Sequence, residues 1–168
     1  MDYTSWDRNK RGAPILLAED GPRELGSFTE DSATVDGDTW ELTFDRETGA
    51  QAVLADERLF RAVGNFRKDK TINAILGEHK FTLINESANN WIIDDEHGDK
   101  VGQFSGGNNG VRRAILELDG DVSLSAEELV ALSWFVRLIL ENRLSRTSTT
   151  LIGTLIGMSV VAILAFLF

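Results

Sequence analysis

The chain has 168 residues, 17 Lys and Arg against 27 Asp and Glu, a formal net charge of −10, 2 prolines and no cysteine. A disulfide scaffold, a thiolate metal site and a cysteine nucleophile are therefore excluded, and the acidic balance argues against a nucleic-acid binder, whose affinity rests on cationic phosphate contacts. With 42% apolar and 26% charged residues, the part up to Arg146, which holds every charged residue, has the composition of one ordinary globular domain and no room for a second large one.

Residues 1–13 are polar and read as an N-terminal extension. Met1 to Arg11 contain no apolar core of about 7–15 residues, so no signal peptide is expected. From Pro14 the chain alternates short apolar-patterned runs with turn signals, the pattern of an all-β barrel or sandwich. The expected strands are Ile15 to Ala18, Arg23 to Phe28, Thr39 to Phe44, Ala50 to Ala55, Arg58 to Phe66, Thr71 to Leu76, Lys80 to Asn85, Trp91 to Asp94, Lys100 to Phe104 and Val111 to Leu118. Breakers such as Asp-Gly-Asp at 36–38, Arg-Glu-Thr-Gly at 46–49 and Glu-His-Gly-Asp at 96–99 supply the turns.

One 14-residue module recurs, at Ile15 to Phe28 and at Trp91 to Phe104: an apolar strand, an acidic turn with glycine, then Gly-x-Phe. A hairpin explains it, the second glycine relieving a bulge or a crowded strand. A weaker copy starts at Leu42. Charge is distributed unevenly along the domain. Glu19 to Glu57 holds twelve acids against Arg23 and Arg46, whereas Arg58 to Lys80 holds Arg58, Arg61, Arg67, Lys68, Lys70 and Lys80 against Asp69 and Glu78. Of these, Arg61, Arg67, Lys68 and Lys70 are the candidate lipid- or partner-binding residues, because cations close to a bilayer attract anionic lipid at about 1 kcal/mol each; the bland alternative is ordinary solvated strand charge.

Catalytic signatures are missing. His79 and His97 stand in separate turns without His-x-His or His-Glu-x-x-His spacing, and the acidic turn Asp94 to Asp99 lacks the alternating register of a calcium loop. Gly-Gly-Asn-Asn-Gly at 106–110 has no Lys-Ser/Thr, and no Gly-x-Ser-x-Gly elbow exists. No catalytic residue, metal or cofactor is expected. Trp6, Trp40, Trp91 and Trp134 read as core or interface anchors.

The strands give way to a helix of about 125–143. Ser125 is placed to cap it and Glu128 to complete a capping box. Within Leu129 to Leu140 only Ser133 and Arg137 interrupt apolar positions, so the helix must be enclosed, and Arg137 and Glu141 disfavour a membrane-spanning alternative. After a linker of 145–149, Thr150 to Phe168 is an uncharged apolar run. About 20 such residues at about 1.5 Å each cross a hydrocarbon core of about 30 Å. The expectation is a single-pass tail anchor in the cell membrane. Arg143 and Arg146 before the span place the domain in the cytoplasm and the C-terminus outward. Gly153 and Gly157, continued by Ala165, form a small-residue face suited to packing on a partner helix.

Many short strands followed by one nearly all-apolar helix, with the hairpins at 16–28 and 92–104 and the helix Leu129 to Leu140, resemble the tubby C-terminal-like superfamily, especially its LURP-one-related and phospholipid-scramblase-like branches. The resemblance spans about residues 14–144 and implies a mainly β fold: a closed antiparallel barrel around a hydrophobic C-terminal helix, here followed by the transmembrane helix. Closure removes sheet edges and buries a helix that is apolar all round. It further implies a link to lipid, since tubby domains bind phosphoinositide head groups and scramblases are associated with lipid movement, although no phosphoinositide motif matches residue by residue. The functional expectation is a non-enzymatic accessory subunit of a larger membrane complex, of which a respiratory or transport assembly is one example. Its partners are membrane lipid and a membrane protein met through the anchor. Binding or transfer of anionic lipid is the alternative.

Overall fold

A computed structural model describes residues 2–7, 14–18, 23–87, 89–106, 115–120 and 122–143. The expected linker and anchor, with Gly153, Gly157 and Ala165, lie outside the described residues. Among the described residues no helix is long and apolar enough to cross a membrane.

Twelve strands form the wall: β1 Asp2–Asp7, β2 Ile15–Ala18, β3 Arg23–Phe28, β4 Ser32–Val35, β5 Asp38–Asp45, β6 Gly49–Val53, β7 Leu59–Val63, β8 Thr71–Leu76, β9 His79–Ser87, β10 Asn90–Asp94, β11 Lys100–Ser105 and β12 Ile115–Leu118. Each pairs antiparallel with its chain neighbours, and β1 pairs with β12 to close the barrel. Closure leaves no edge strand. Among the described residues one helix, α1 at 126–143, follows β12.

Two strands correct the sequence reading. The segment taken as an N-terminal extension contains β1, the strand that seals the barrel through Thr4↔Leu116 and Thr4↔Ala18. The short β4, Ser-Ala-Thr-Val, is a strand that the sequence pattern does not reveal, because polar residues hide its alternation; it pairs with β5 across an Asp36-Gly37 turn in which both residues have positive φ, at 50° and 90°. That is the type I′ geometry whose twist matches the flanking strands.

Alternation then sends one face of every strand inward. Trp6, Leu16, Phe28, Trp40, Phe60, Leu76, Leu83, Trp91 and Phe104 are buried, and so is nearly every residue of α1 from Val130 to Val136. Inward side chains on β6, β7 and β8 include the neighbours Ala50, Ala62 and Ala74, whose small size leaves room for the helix. Both copies of the hairpin module behave alike. Gly26 and Gly102 follow bulges, and a Cβ on either would meet the carbonyl oxygen of Thr34 at 3.0 Å or of Glu117 at 2.7 Å.

The helix starts with the expected capping box. The Ser125 amide donates to Glu128 Oε2 at 2.8 Å, and the Glu128 amide to Ser125 Oγ at 3.2 Å. Its middle is pinned to β1. Ser133 Oγ donates to the Leu129 carbonyl at 2.7 Å, so the Thr4 hydroxyl, 2.8 Å away, donates to Ser133; Trp6 Nε1 donates to the Ser133 carbonyl at 3.3 Å. A buried polar serine in an apolar helix is thereby satisfied.

Candidate functional site

An up-and-down barrel puts alternate connections at opposite ends. The β4–β5, β6–β7, β8–β9 and β10–β11 turns share the rim where α1 begins. There Glu127 accepts from Arg58 Nη2 at 2.6 Å and Glu128 pairs with His79 Nδ1 at 2.8 Å. The β3–β4, β5–β6, β7–β8 and β9–β10 connections share the other rim, where α1 ends. Arg143 donates there to the carbonyls of Arg67, at 2.8 Å, and Asp69, and its guanidinium lies 5.3 Å from the Trp91 ring centroid. The described part of α1 thus reaches this exit rim, and the apolar run 150–168 follows it in the sequence.

The tertiary fold splits the basic segment. Arg58, bonded to Asp56 and Glu127, and Lys80 belong to the entry rim. Arg61 sits on the outer wall, its Cα paired with Gln51 and Ile75, between the exposed Leu59 and Val63. Arg67, Lys68 and Lys70 occupy the exit rim, so Arg61 does not join them. Arg46 does, and sequence distance concealed it: it lies in the β5–β6 turn, across a cleft of about 260 Å³ lined also by Asp45, Glu47, Asn65, Arg67 and Lys68. Turn parity was the signal that could have found it, since every second connection of a meander shares a rim.

The acids beside these cations are bonded within their own turns, although the Arg46 charge also acts on Asp45. Asp45 Oδ1 accepts from the Glu47 and Thr48 amides at 2.8 and 2.9 Å and from the Thr48 hydroxyl; the two amides first, then the hydroxyl, hold its carboxyl below the ordinary aspartate range. It is committed to its own turn. Likewise Asn65 Oδ1 accepts from the Arg67 and Lys68 amides, and Asp69 Oδ2 from the Asn65 amide at 2.8 Å. The two turns are stitched together by Phe66 N to Arg46 O at 3.0 Å and Gly64 N to Thr48 O at 3.2 Å. Among the described residues, the side chains of Arg46, Arg67, Lys68 and Lys70 make no ion pair.

The entry rim is the more acidic of the two. Asp36, Asp38, Asp56, Glu57, Glu78, Asp95, Glu96 and Asp99 lie in its turns. The 94–99 turn is wound around Asp95, whose Oδ1 accepts from the His97 and Asp99 amides. His97 is exposed, 3.9 Å from Glu96. No metal-binding group of acids and histidines occurs among the described residues.

Fold and charge together define a class: a closed antiparallel barrel filled by its own C-terminal helix, with a strongly acidic rim at one end and a rim of mixed charge at the other, where Arg46, Arg67, Lys68 and Lys70 stand among Glu30, Asp31, Asp45, Glu47, Asp69 and Glu86. No family model, curated protein or solved structure matches the chain.

Proposed function

We propose that this protein is a non-enzymatic, tail-anchored membrane module that holds its barrel against the cytoplasmic face of the cell membrane, as an accessory subunit of a larger membrane complex. The observation that carries this reading is the exit of α1 at the rim holding Arg46, Arg67, Lys68 and Lys70. The apolar run 150–168 then draws this rim, and not the more acidic one, toward the headgroups. The closed barrel around its C-terminal helix is also what the resemblance to tubby-like proteins implies. Gly153 and Gly157 supply a face for a partner helix.

Absence of cysteine makes the orientation easy to test with single labels. In liposomes, a fluorophore on Glu47→Cys at the exit rim is expected to be quenched by headgroup quenchers severalfold more than one on Glu96→Cys at the entry rim. Equal quenching would sink the orientation, and release of the chain by alkaline carbonate would sink the anchor. Solubilisation of native membranes in mild detergent should bring a partner along; recovery as a lone monomer removes the accessory role.

A second reading is favoured by the unpaired cations: the exit-rim turns recognise anionic lipid. Adding anionic lipid should then deepen the quenching of the Glu47→Cys label. Neutralising Arg67, Lys68 and Lys70 to glutamine, or raising salt to shorten the screening length, should abolish that gain. Arg61→Gln, on the wall, should leave it unchanged. Loss of the gain in R61Q alone would reverse the assignment.

A further inference from the structure

The helix is tied to only part of its wall. Its hydrogen bonds reach β1 through Thr4 and Trp6, and the β6–β9 side through Arg58, Arg67 and Asp69, and His79. Ala50, Ala62 and Ala74 let it lie close on that side. Among the described residues no hydrogen bond joins it to β3, β4 or β5. There, at the exit rim, a cleft of about 390 Å³ opens between the helix and the wall, within the size range of small-molecule sites.

Its lining grades from apolar to charged with height. Trp134 is buried, while Phe44 and Leu138 are half-buried. Above them Arg137 Nε donates to Glu141 Oε1 at 3.0 Å, and its guanidinium lies 4.9 Å from the Trp6 ring centroid. Glu30 stands exposed at the mouth. Positions 134, 138 and 141 form one helical stripe, apolar below and ionic above, which is the polarity gradient of an amphiphile.

We propose that this cleft takes one acyl chain of a zwitterionic phospholipid, its methylenes against Phe44, Trp134 and Leu138 and its head at Arg137 and Glu30. The proposal rests on the tether reading, because only a rim that faces the bilayer meets lipid. Seven residues separate Arg143 from Leu151 in the sequence, and even fully extended they span at most about 25 Å. Charge selects the head. Among the described residues the mouth sets the Arg137 guanidinium and the exposed Glu30 carboxylate on one cleft, complementary to a phosphate and an ammonium together.

The test uses the full chain in phosphatidylcholine nanodiscs containing a small fraction of lipid with a diazirine near the acyl terminus. After irradiation and proteolysis, mass spectrometry should find adducts on peptides covering Phe44 and 134–141 as well as on 150–168. Leu138→Trp, which fills the cleft, should reduce the barrel adducts at least tenfold while leaving those on the tail. Glu30→Trp blocks the mouth from an exposed position, and its adduct loss decides the matter if the first variant does not fold by circular dichroism. Adducts on the tail alone overturn the cleft and leave the anchor standing; none anywhere on the chain overturns both. Barrel adducts that persist in both blocking variants also overturn the cleft.

Discussion

Thr4, Ser5 and Ser133 are fully buried hydroxyls with different consequences. Ser133→Ala strips the Thr4 hydroxyl of its acceptor, and a loss of about 1–3 kcal/mol is expected in urea unfolding. Thr4→Val should cost a similar amount, and the double variant less than the two together, by about 1 kcal/mol of coupling. Ser5 Oγ has no hydrogen-bond partner, so Ser5→Ala should leave stability unchanged or raise it. Glu128 adds a pH dependence. Burial pushes its carboxyl pKa up, but hydrogen bonds to His79 and Ser125 outweigh burial and leave it below the ordinary value of 4.5. A carboxyl depressed in the folded state stabilises above its unfolded pKa, and that contribution is lost as pH falls through the folded value. Acid titration of unfolding should therefore show a drop below about pH 4.5 that is shallower in Glu128→Gln; identical slopes would refute this. None of this pairing except the capping box was legible in the sequence. Ser-x-x-Glu is a local pattern, whereas Thr4 and Ser133 lie 129 positions apart.

At the scale of elements, glycines mark where backbone approaches backbone. Gly49, φ 133°, would place a Cβ 2.0 Å from the Ala62 carbonyl oxygen, whereas Gly37, φ 90°, has open space around it. Gly49→Ala must displace β7 and should cost more than about 2 kcal/mol, or prevent folding; Gly37→Ala should cost only the backbone strain of about 1 kcal/mol. Equal melting temperatures for the two would contradict this account. The hairpin modules were readable because acidic turn, glycine and alternation are all local. β4 was not, since four residues with Ser and Thr do not rise above loop composition. β1 failed for a related reason: one inward residue is Thr4, whose polarity is satisfied only by a helix far along the chain.

At the scale of the molecule, charge is sorted by topology. The basic segment 58–80 is contiguous in sequence, but its cations go to both rims and the outer wall, while Arg46 joins Arg67 and Lys68 across one cleft. Exchange of rims is a direct prediction. Reversing Arg46, Arg67 and Lys68 to glutamate should weaken association of the barrel with an anionic bilayer, read as lost headgroup quenching at the Glu47→Cys label, whereas Arg58→Glu and Lys80→Glu should not. By itself the sequence determined that the domain is mainly β, that its closing helix must be enclosed, how that helix is capped, and that residues 150–168 prefer an apolar solvent; these follow from composition and periodicity within a few residues. Only the tertiary structure decided that β1 closes the barrel, that the helix reaches the rim holding Arg46, Arg67, Lys68 and Lys70, and that a cleft remains beside β3–β5. These depend on which distant segments meet, and closing a ring of twelve strands around one helix is a condition on the whole chain.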